Sequence, residues 1–167
     1  GKLESLGTII DTDVLIIGGG FAGVWAAIRA RDFADKVVLV DKAQVAKSGC
    51  STFAAGVQLC PTREDDLDMW KKEMVISGDY FPDQDWVDFF LRNQIERIED
   101  YERWGAPLEK DGKVKIARIV GRGHINTRLF QFHGNKLMAL LKQKVLDKKV
   151  EVMERIMITD LLLEGDE

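Results

Sequence analysis

The sequence predicts an α/β domain whose parallel sheet is interrupted by a helical insert after its second strand. Three observations carry that expectation. The apolar run Val14 to Ile17 is rich in β-branched residues and reads as a buried strand of a parallel sheet. Glycines 18, 20 and 23 follow on the spacing G-x-G-x-x-G and lead into an alanine-rich helical stretch with Ala22, Ala26, Ala27 and Ala30. A second apolar run, Val37 to Val40, ends in Asp41.

Each part of that unit has a physical task. Gly18 allows a tight turn out of the strand, Gly20 lets backbone approach a pyrophosphate, and Gly23 lets the helix pack closely on the sheet. Phe21 and Ala22 fill the two intervening positions, at the helix start, where N–H groups and the positive end of the helix dipole favour phosphate. Asp41 falls about twenty residues beyond the glycines, where a carboxylate binds ribose hydroxyls and repels a 2′-phosphate. The unit therefore predicts a dinucleotide site; the competing reading is a structural glycine turn in some other α/β domain.

With 167 residues, 46% hydrophobic and 31% charged, the chain has the composition of an ordinary globular domain. Its formal net charge of -4 gives no sign of a nucleic-acid partner. No apolar run reaches the roughly 20 residues of a membrane span, and the first residues lack the apolar stretch of a secretory signal. The two cysteines, Cys50 and Cys60, match neither a zinc spacing nor a redox pair, so a reduced, cytoplasmic setting is the expectation and no metal site is proposed. The C-terminal residues read as two strands with a turn beginning at Glu164 to Glu167, which suggests an N-terminal piece of a longer protein.

In chain order, residues 1–12 read as an irregular leader, with Ile9 and Ile10 packing on the domain. Residues 13–62 hold the dinucleotide-binding unit and a loop of small residues over 42–60, and residues 63–123 a helical insert and hairpin. Residues 124–167 return by a helix to the sheet. Thr62 is a candidate N-cap for a helix from Arg63, in which Leu67, Trp70, Met74 and Val75 recur at helical spacing, ended by Gly78 and Pro82. Asp83 or Asp85 opens another helix. Its Trp86, Phe89, Phe90, Ile95, Ile98, Tyr101 and Trp104 read as a core face rather than a stacking box, with Gly105 as the C-terminal cap. Asp111-Gly112 between short β-like runs predicts a hairpin. The neighbouring Lys110, Lys113, Lys115, Arg118, Arg122 and Arg128 form a basic stretch, for which solvated lysines are a simpler reading than an anion-attracting field. Thr127 is a candidate cap for a helix running to about Lys148, with Leu129, Phe130, Leu137, Leu140, Leu141 and Val145 inward. No internal repeat is visible.

The segments DVLIIGGGFAGVWAAIRA, VVLVDKA and KSGCSTFAAGVQ resemble the N-terminal part of the fumarate reductase/succinate dehydrogenase flavoprotein family, which includes L-aspartate oxidase and the α subunit of adenylylsulfate reductase. The resemblance covers nearly the whole chain; the C-terminal stretch Val150 to Glu167 is one of the more specific matches, whereas WGAPLEKD and the stretch from His124 to Val145 rest on a few residues each. It implies a Rossmann-like FAD-binding domain that is incomplete without the rest of a longer chain. It also implies an adenosine ribose on Asp41, with Lys42 beside it. The flavin would be wrapped by the segment Ser48 to Gly56, here S-x-x-x-T-x-A-A-G, in which Ser48, Gly49, Ser51, Thr52, Ala54, Ala55 and Gly56 are the implied contacts. Backbone N–H groups of that segment would stabilise charge on the reduced ring. Membrane-bound members carry a histidine bonded covalently to the flavin; the matching Cys50-Ser51-Thr52 has none, which implies non-covalent FAD. A small residue in a loop is the simpler reading of Cys50 than a thiol anchor.

Of the two histidines, His124 is expected on a loop after Gly121-Arg122-Gly123, and His133 within the returning helix. Neither is accompanied by a nucleophile or a metal-ligand spacing. The function expected is therefore the FAD-binding portion of an oxidoreductase subunit. By resemblance it acts on a small anionic substrate, adenylylsulfate-reductase-like or fumarate-reductase-like, with an iron–sulfur partner and with catalytic residues outside this stretch. Two alternatives stay open: a dinucleotide-binding or assembly module without catalysis, and an NAD(P)H-dependent flavin oxidoreductase. The second of these would need a C-x-x-C or C-x4-C pair that Cys50 and Cys60 do not form.

Overall fold

The computed structural model describes residues 7–112 and 115–162. They belong to two compact units, Gly1–Ala54 with Gly134–Glu167, and Ala55–His133.

The first unit is built on a three-stranded parallel sheet of β1 (Val14–Ile17), β2 (Val37–Asp41) and β7 (Glu151–Glu154) in the order β1-β2-β7. Register runs Val14↔Val37 to Ile17↔Val40 on one side of β2 and Val38↔Glu151 to Asp41↔Glu154 on the other. The central strand is apolar on both faces because both are covered, and Val37 to Val40 are all buried. Helix α1 (Phe21–Ala30) contributes Val24, Ala27 and Ile28 to the core, and α5 (Gly134–Asp147) contributes Leu137, Met138, Leu141 and Val145. Both sets recur at three- and four-residue spacing, one stripe of each helix. A single turn, α2 (Cys50–Phe53), completes this unit and packs near α5. The parallel sheet interrupted after its second strand is thus observed, but β1 is not the buried strand expected, since Leu15 and Ile17 are exposed.

The second unit pairs β3 (Ala55–Leu59) with β6 (Leu129–His133) antiparallel and carries the short hairpin β4 (Lys110–Asp111) and β5 (Lys115–Ile116). Helices α3 (Leu67–Ser77) and α4 (Gln84–Arg103) join through Trp70, Val87 and Leu91, with Leu59, Leu67 and Met74 packed around them. Tyr101 and Phe130 meet edge to face, 6.1 Å between ring centroids, a geometry favoured by the ring quadrupoles.

Several expectations are corrected. Residues 42–60 are not all loop, since 50–53 form α2 and 55–59 form β3; strand β3 exists because the distant β6 offers it a partner, pairing Ala55 with His133 and Leu59 with Leu129. Helix α3 starts at Leu67 on Asp66, not at Arg63 on Thr62. There Asp65 turns its carboxylate back on the Thr62 N–H (2.7 Å) and hydroxyl (2.8 Å), closing a turn instead of opening a helix. Thr127 caps no helix. Leu129 and Phe130 lie in β6, His133 is its exposed last residue, and the helix begins at Gly134. On α4, Trp86, Phe89 and Phe90 point to solvent, and the buried face runs through Val87, Leu91, Ile95, Ile98 and Tyr101. Ile9 and Ile10 are exposed. Residues 155–162 form no strand beyond β7, and the turn expected at Glu164 to Glu167 lies outside the described residues.

Candidate functional site

The C-terminal ends of parallel strands are where open α/β sheets bind ligands, and the glycine turn sits at that end of β1. Gly18 turns out of the strand with φ of +103°, a conformation that residues with a Cβ rarely adopt, and its N–H donates to the Val40 carbonyl at 2.8 Å. A Cβ on Gly23 would lie 1.7 Å from the Gly18 carbonyl oxygen, so only glycine permits this approach of helix to turn. Helix α1 starts on Gly20 with no side-chain cap and no acidic residue in its first turn. The Phe21 N–H is taken instead by the Ser51 hydroxyl, 3.1 Å away.

Asp41 ends β2 beside this turn. One carboxylate oxygen accepts the Gly19 N–H and the other the Ala43 N–H, both at 2.7 Å. The Ser48 hydroxyl donates to the Gln44 carbonyl at 2.8 Å and stands 3.5 Å from Asp41. Lys42 is exposed, and Gly49, at φ of +77°, leads into α2. The Thr52 hydroxyl is buried without a hydrogen-bond partner among the described residues. Ala54 closes the segment by accepting the Gly134 N–H. Gly18, Gly20, Phe21, Ala22, Gly23, Asp41, Lys42, Ser48, Gly49, Ser51, Thr52 and Ala54 thus all lie in the first unit. Ala55 and Gly56 open β3 in the second, opposite His133 and Phe132. An uncapped helix start, a neighbouring carboxylate and an orphaned hydroxyl are the donors and acceptors that phosphate, ribose and a polar ring edge require.

Glu154 was not legible in the sequence. It ends β7 in register with Asp41, and its Oε1 accepts both the Val45 N–H (3.0 Å) and the Lys142 ammonium (2.6 Å). The bond to Lys142 holds its carboxyl below the usual range against the opposing effect of partial burial. Glu73 is the second such residue. It accepts the Thr127 hydroxyl at 2.6 Å and the Asn126 N–H at 2.7 Å, and His124 stands 3.4 Å away. Burial pushes the Glu73 carboxyl up, but the Thr127 hydroxyl and the Asn126, Thr127 and Ile125 amides together bring it down to about 2. His124 therefore belongs to a loop clamp. Only the spacing of polar residues in HINT hints at the clamp, and nothing in the sequence points to Glu73.

Of the basic stretch, Arg118 and Arg128 are committed to structure, Lys110 and Lys115 are exposed, and Lys113 lies outside the described residues. Both terminal nitrogens of Arg118 meet Asp65 at 2.8 Å, and Arg128 donates to the carbonyls of Ile125, Asn126 and Thr127. Cys60 is buried, which pushes its thiol up to about 12 and makes it unreactive, whereas Cys50 is exposed. Among the described residues no three His, Cys, Asp or Glu side chains gather to hold a metal ion. No described helix is long and apolar enough to cross a membrane.

Residues 13–167 match the family model described as FAD binding domain. The chain is 28% identical over 164 residues to a component of the fumarate reductase (CoM/CoB) of Methanothermobacter marburgensis, covering 93% of this chain and 30% of that protein. It is 29% identical over 116 residues to the fumarate reductase flavoprotein subunit of Haemophilus influenzae, covering 67% of this chain and 19% of that one. The chain therefore spans less than a third of these curated relatives. Among solved structures, the Mycobacterium smegmatis Sdh1 complex in the apo form superposes with a TM-score of 0.81 at 23% identity, covering 92% of this chain and 29% of that one. The open conformation of a flavocytochrome c3 fumarate reductase superposes with a TM-score of 0.79 at 22% identity, covering 99% and 30%. The glycine turn, the acidic end of β2 and these matches agree: the chain belongs to the FAD-binding domains of the fumarate reductase/succinate dehydrogenase flavoprotein family, and its cofactor is FAD.

Proposed function

We propose that this chain is the FAD-binding portion of a flavoprotein oxidoreductase subunit that transfers two electrons between the flavin and a small anionic substrate, in the manner of a fumarate reductase or an adenylylsulfate reductase. The observation that carries the reading is the similarity, across 93% of the chain, to a protein named as part of a fumarate reductase. When bound, the flavin supplies hydride or electron-pair transfer through its isoalloxazine ring. The chain's own residues bind and orient it. Gly20, Phe21 and Ala22 bring backbone to the pyrophosphate at the start of α1, Gly18 and Gly23 shape the turn that puts it there, and Asp41 and Lys42 take the adenosine ribose. Ser48, Gly49, Ser51, Thr52 and Ala54 line the flavin side, and Ala55 and Gly56 complete the same motif in sequence. Cys50-Ser51-Thr52 stands where a histidine would carry a covalent link, so the FAD is held non-covalently. The rest of a longer chain supplies the substrate-binding and proton-delivering residues, and an iron–sulfur partner exchanges electrons with the flavin.

The test is the visible spectrum of the native full-length protein before and after acid precipitation, followed by fumarate and adenylylsulfate assays with a reduced viologen as electron donor. Flavin colour released wholly into the supernatant, with turnover of one of these anions, is the expected result. Colour retained in the pellet contradicts the non-covalent link. A flavoprotein that turns over no small anion overturns the proposed reaction class.

A further inference from the structure

The segment between β2 and α2 lies directly on the glycine turn, and its position is set from β7. Ala46 donates its N–H to the Gly19 carbonyl at 3.0 Å, and a Cβ on Gly19 would come 2.8 Å from the Val45 Cα. Val45 itself is completely buried. Gly19 is thus held on three sides: its N–H by Asp41, its carbonyl by Ala46 and its open face by Val45. The backbone beyond β7 secures the near end of the segment, Arg155 donating to the Ala43 carbonyl and Ile156 to the Asp41 carbonyl. Glu154 secures the far end by accepting the Val45 N–H while Lys142 of α5 holds its carboxylate in place.

We infer that Glu154, braced by Lys142, is a positioning residue for FAD: it presses Val45 and Ala46 onto Gly19 and so holds the glycine turn in its binding geometry. The inference rests on the reading above that the turn and Asp41 hold the dinucleotide. Glu154 acts through the Val45 N–H and the Gly19 backbone, without touching the cofactor. Substrate chemistry plays no part in this role, so cofactor affinity reports on it directly.

The experiment uses the full-length protein stripped of flavin, with FAD affinity measured by fluorescence quenching and hydrogen exchange followed in the 42–53 segment. Glu154→Leu removes both hydrogen bonds and is expected to weaken FAD binding about tenfold, the scale of one charge-assisted bond. Glu154→Gln keeps an acceptor for Val45 but loses the charge, and Lys142→Met removes the brace; each is expected to cost about threefold. Exchange at 42–53 in the flavin-free protein should quicken in the same order. An affinity within twofold of the parent in Glu154→Leu, with only the melting temperature lowered, would reduce Glu154 to a general stabiliser and overturn the inference. If Glu154→Leu does not fold, unchanged affinity in both milder variants overturns it equally. Asp41→Ala separates the two levels: if it too binds FAD like the parent, the site reading itself has failed.

Discussion

Helices α3 and α4 begin on aspartates, whereas α1 begins on a glycine. Asp66 accepts the N–H groups of Asp68 and Met69, Asp83 accepts those of Asp85 and Trp86, and each helix carries a further aspartate in its first turn. Such a cap is worth about 1 kcal/mol and neutralises the positive end of the helix dipole. Helix α1 forgoes it. Its first turn has no acidic residue, and the Phe21 N–H there meets the neutral hydroxyl of Ser51, from 30 residues along the chain. The difference follows position in the fold. Helices α3 and α4 lie in the insert, whereas α1 starts at the C-terminal edge of a parallel sheet, where the proposed site would set its dipole against an anion.

The largest effect expected concerns the contact that creates this arrangement. Gly23→Val drives a side chain into the Gly18 carbonyl and should cost about 3 kcal/mol or more in urea unfolding, through overpacking against backbone. A loss under about 1 kcal/mol would mean that α1 can shift and that its start is not fixed by the turn. Gly20→Asp sharpens the comparison, because it gives α1 the cap its counterparts have. Gly20 already has an extended backbone, but a Cβ there would lie 3.1 Å from the Ser51 hydroxyl, which must give way, so the flavin-free protein should melt close to the parent, while FAD affinity falls about a hundredfold from carboxylate facing pyrophosphate. Unchanged affinity would break the distinction between the helix starts. Asp66→Ala and Asp83→Ala should each lower stability by about 1 kcal/mol with FAD affinity unaltered; a change in affinity would show that the insert caps serve the site after all.

The smallest effect is in acid. Glu73 is held down to about 2 in the folded chain against an ordinary 4.5, so its contribution is complete above about 4.5 and is lost as pH falls toward about 2. Glu73→Gln should flatten the stability profile across that window, as read by chemical unfolding at a series of pH values. An unchanged acid limb would mean that the clamp on Ile125 to Thr127 carries no ionic component.

The sequence by itself determined the strand–turn–helix–strand unit. Its periodicity, glycine spacing and terminal aspartate are local signals, and β1, α1 and β2 appear where those signals place them. The start of α4 at one of two neighbouring aspartates, which the structure places at Asp83, the left-handed Gly105 just past its end and the Asp111-Gly112 hairpin were legible for the same reason, since a turn or helix end is decided within a few residues. The tertiary structure decided what depends on a distant partner. Leu129 to His133 carry enough apolar residues for a helix face, but Ala55 to Leu59 offer them a ladder, and strand pairing outweighs helical spacing. Which aromatic side of α4 is buried depended on where α3 packs, and so Trp86 and Phe89 were misplaced. The carboxylates of Glu73 and Glu154 acquire their roles only when loops 53 and 109 residues away deliver N–H groups to them. A hydrogen bond across such a distance leaves no period in the chain, because the carboxylate alone is an ordinary acidic residue and a backbone N–H is no feature of the sequence.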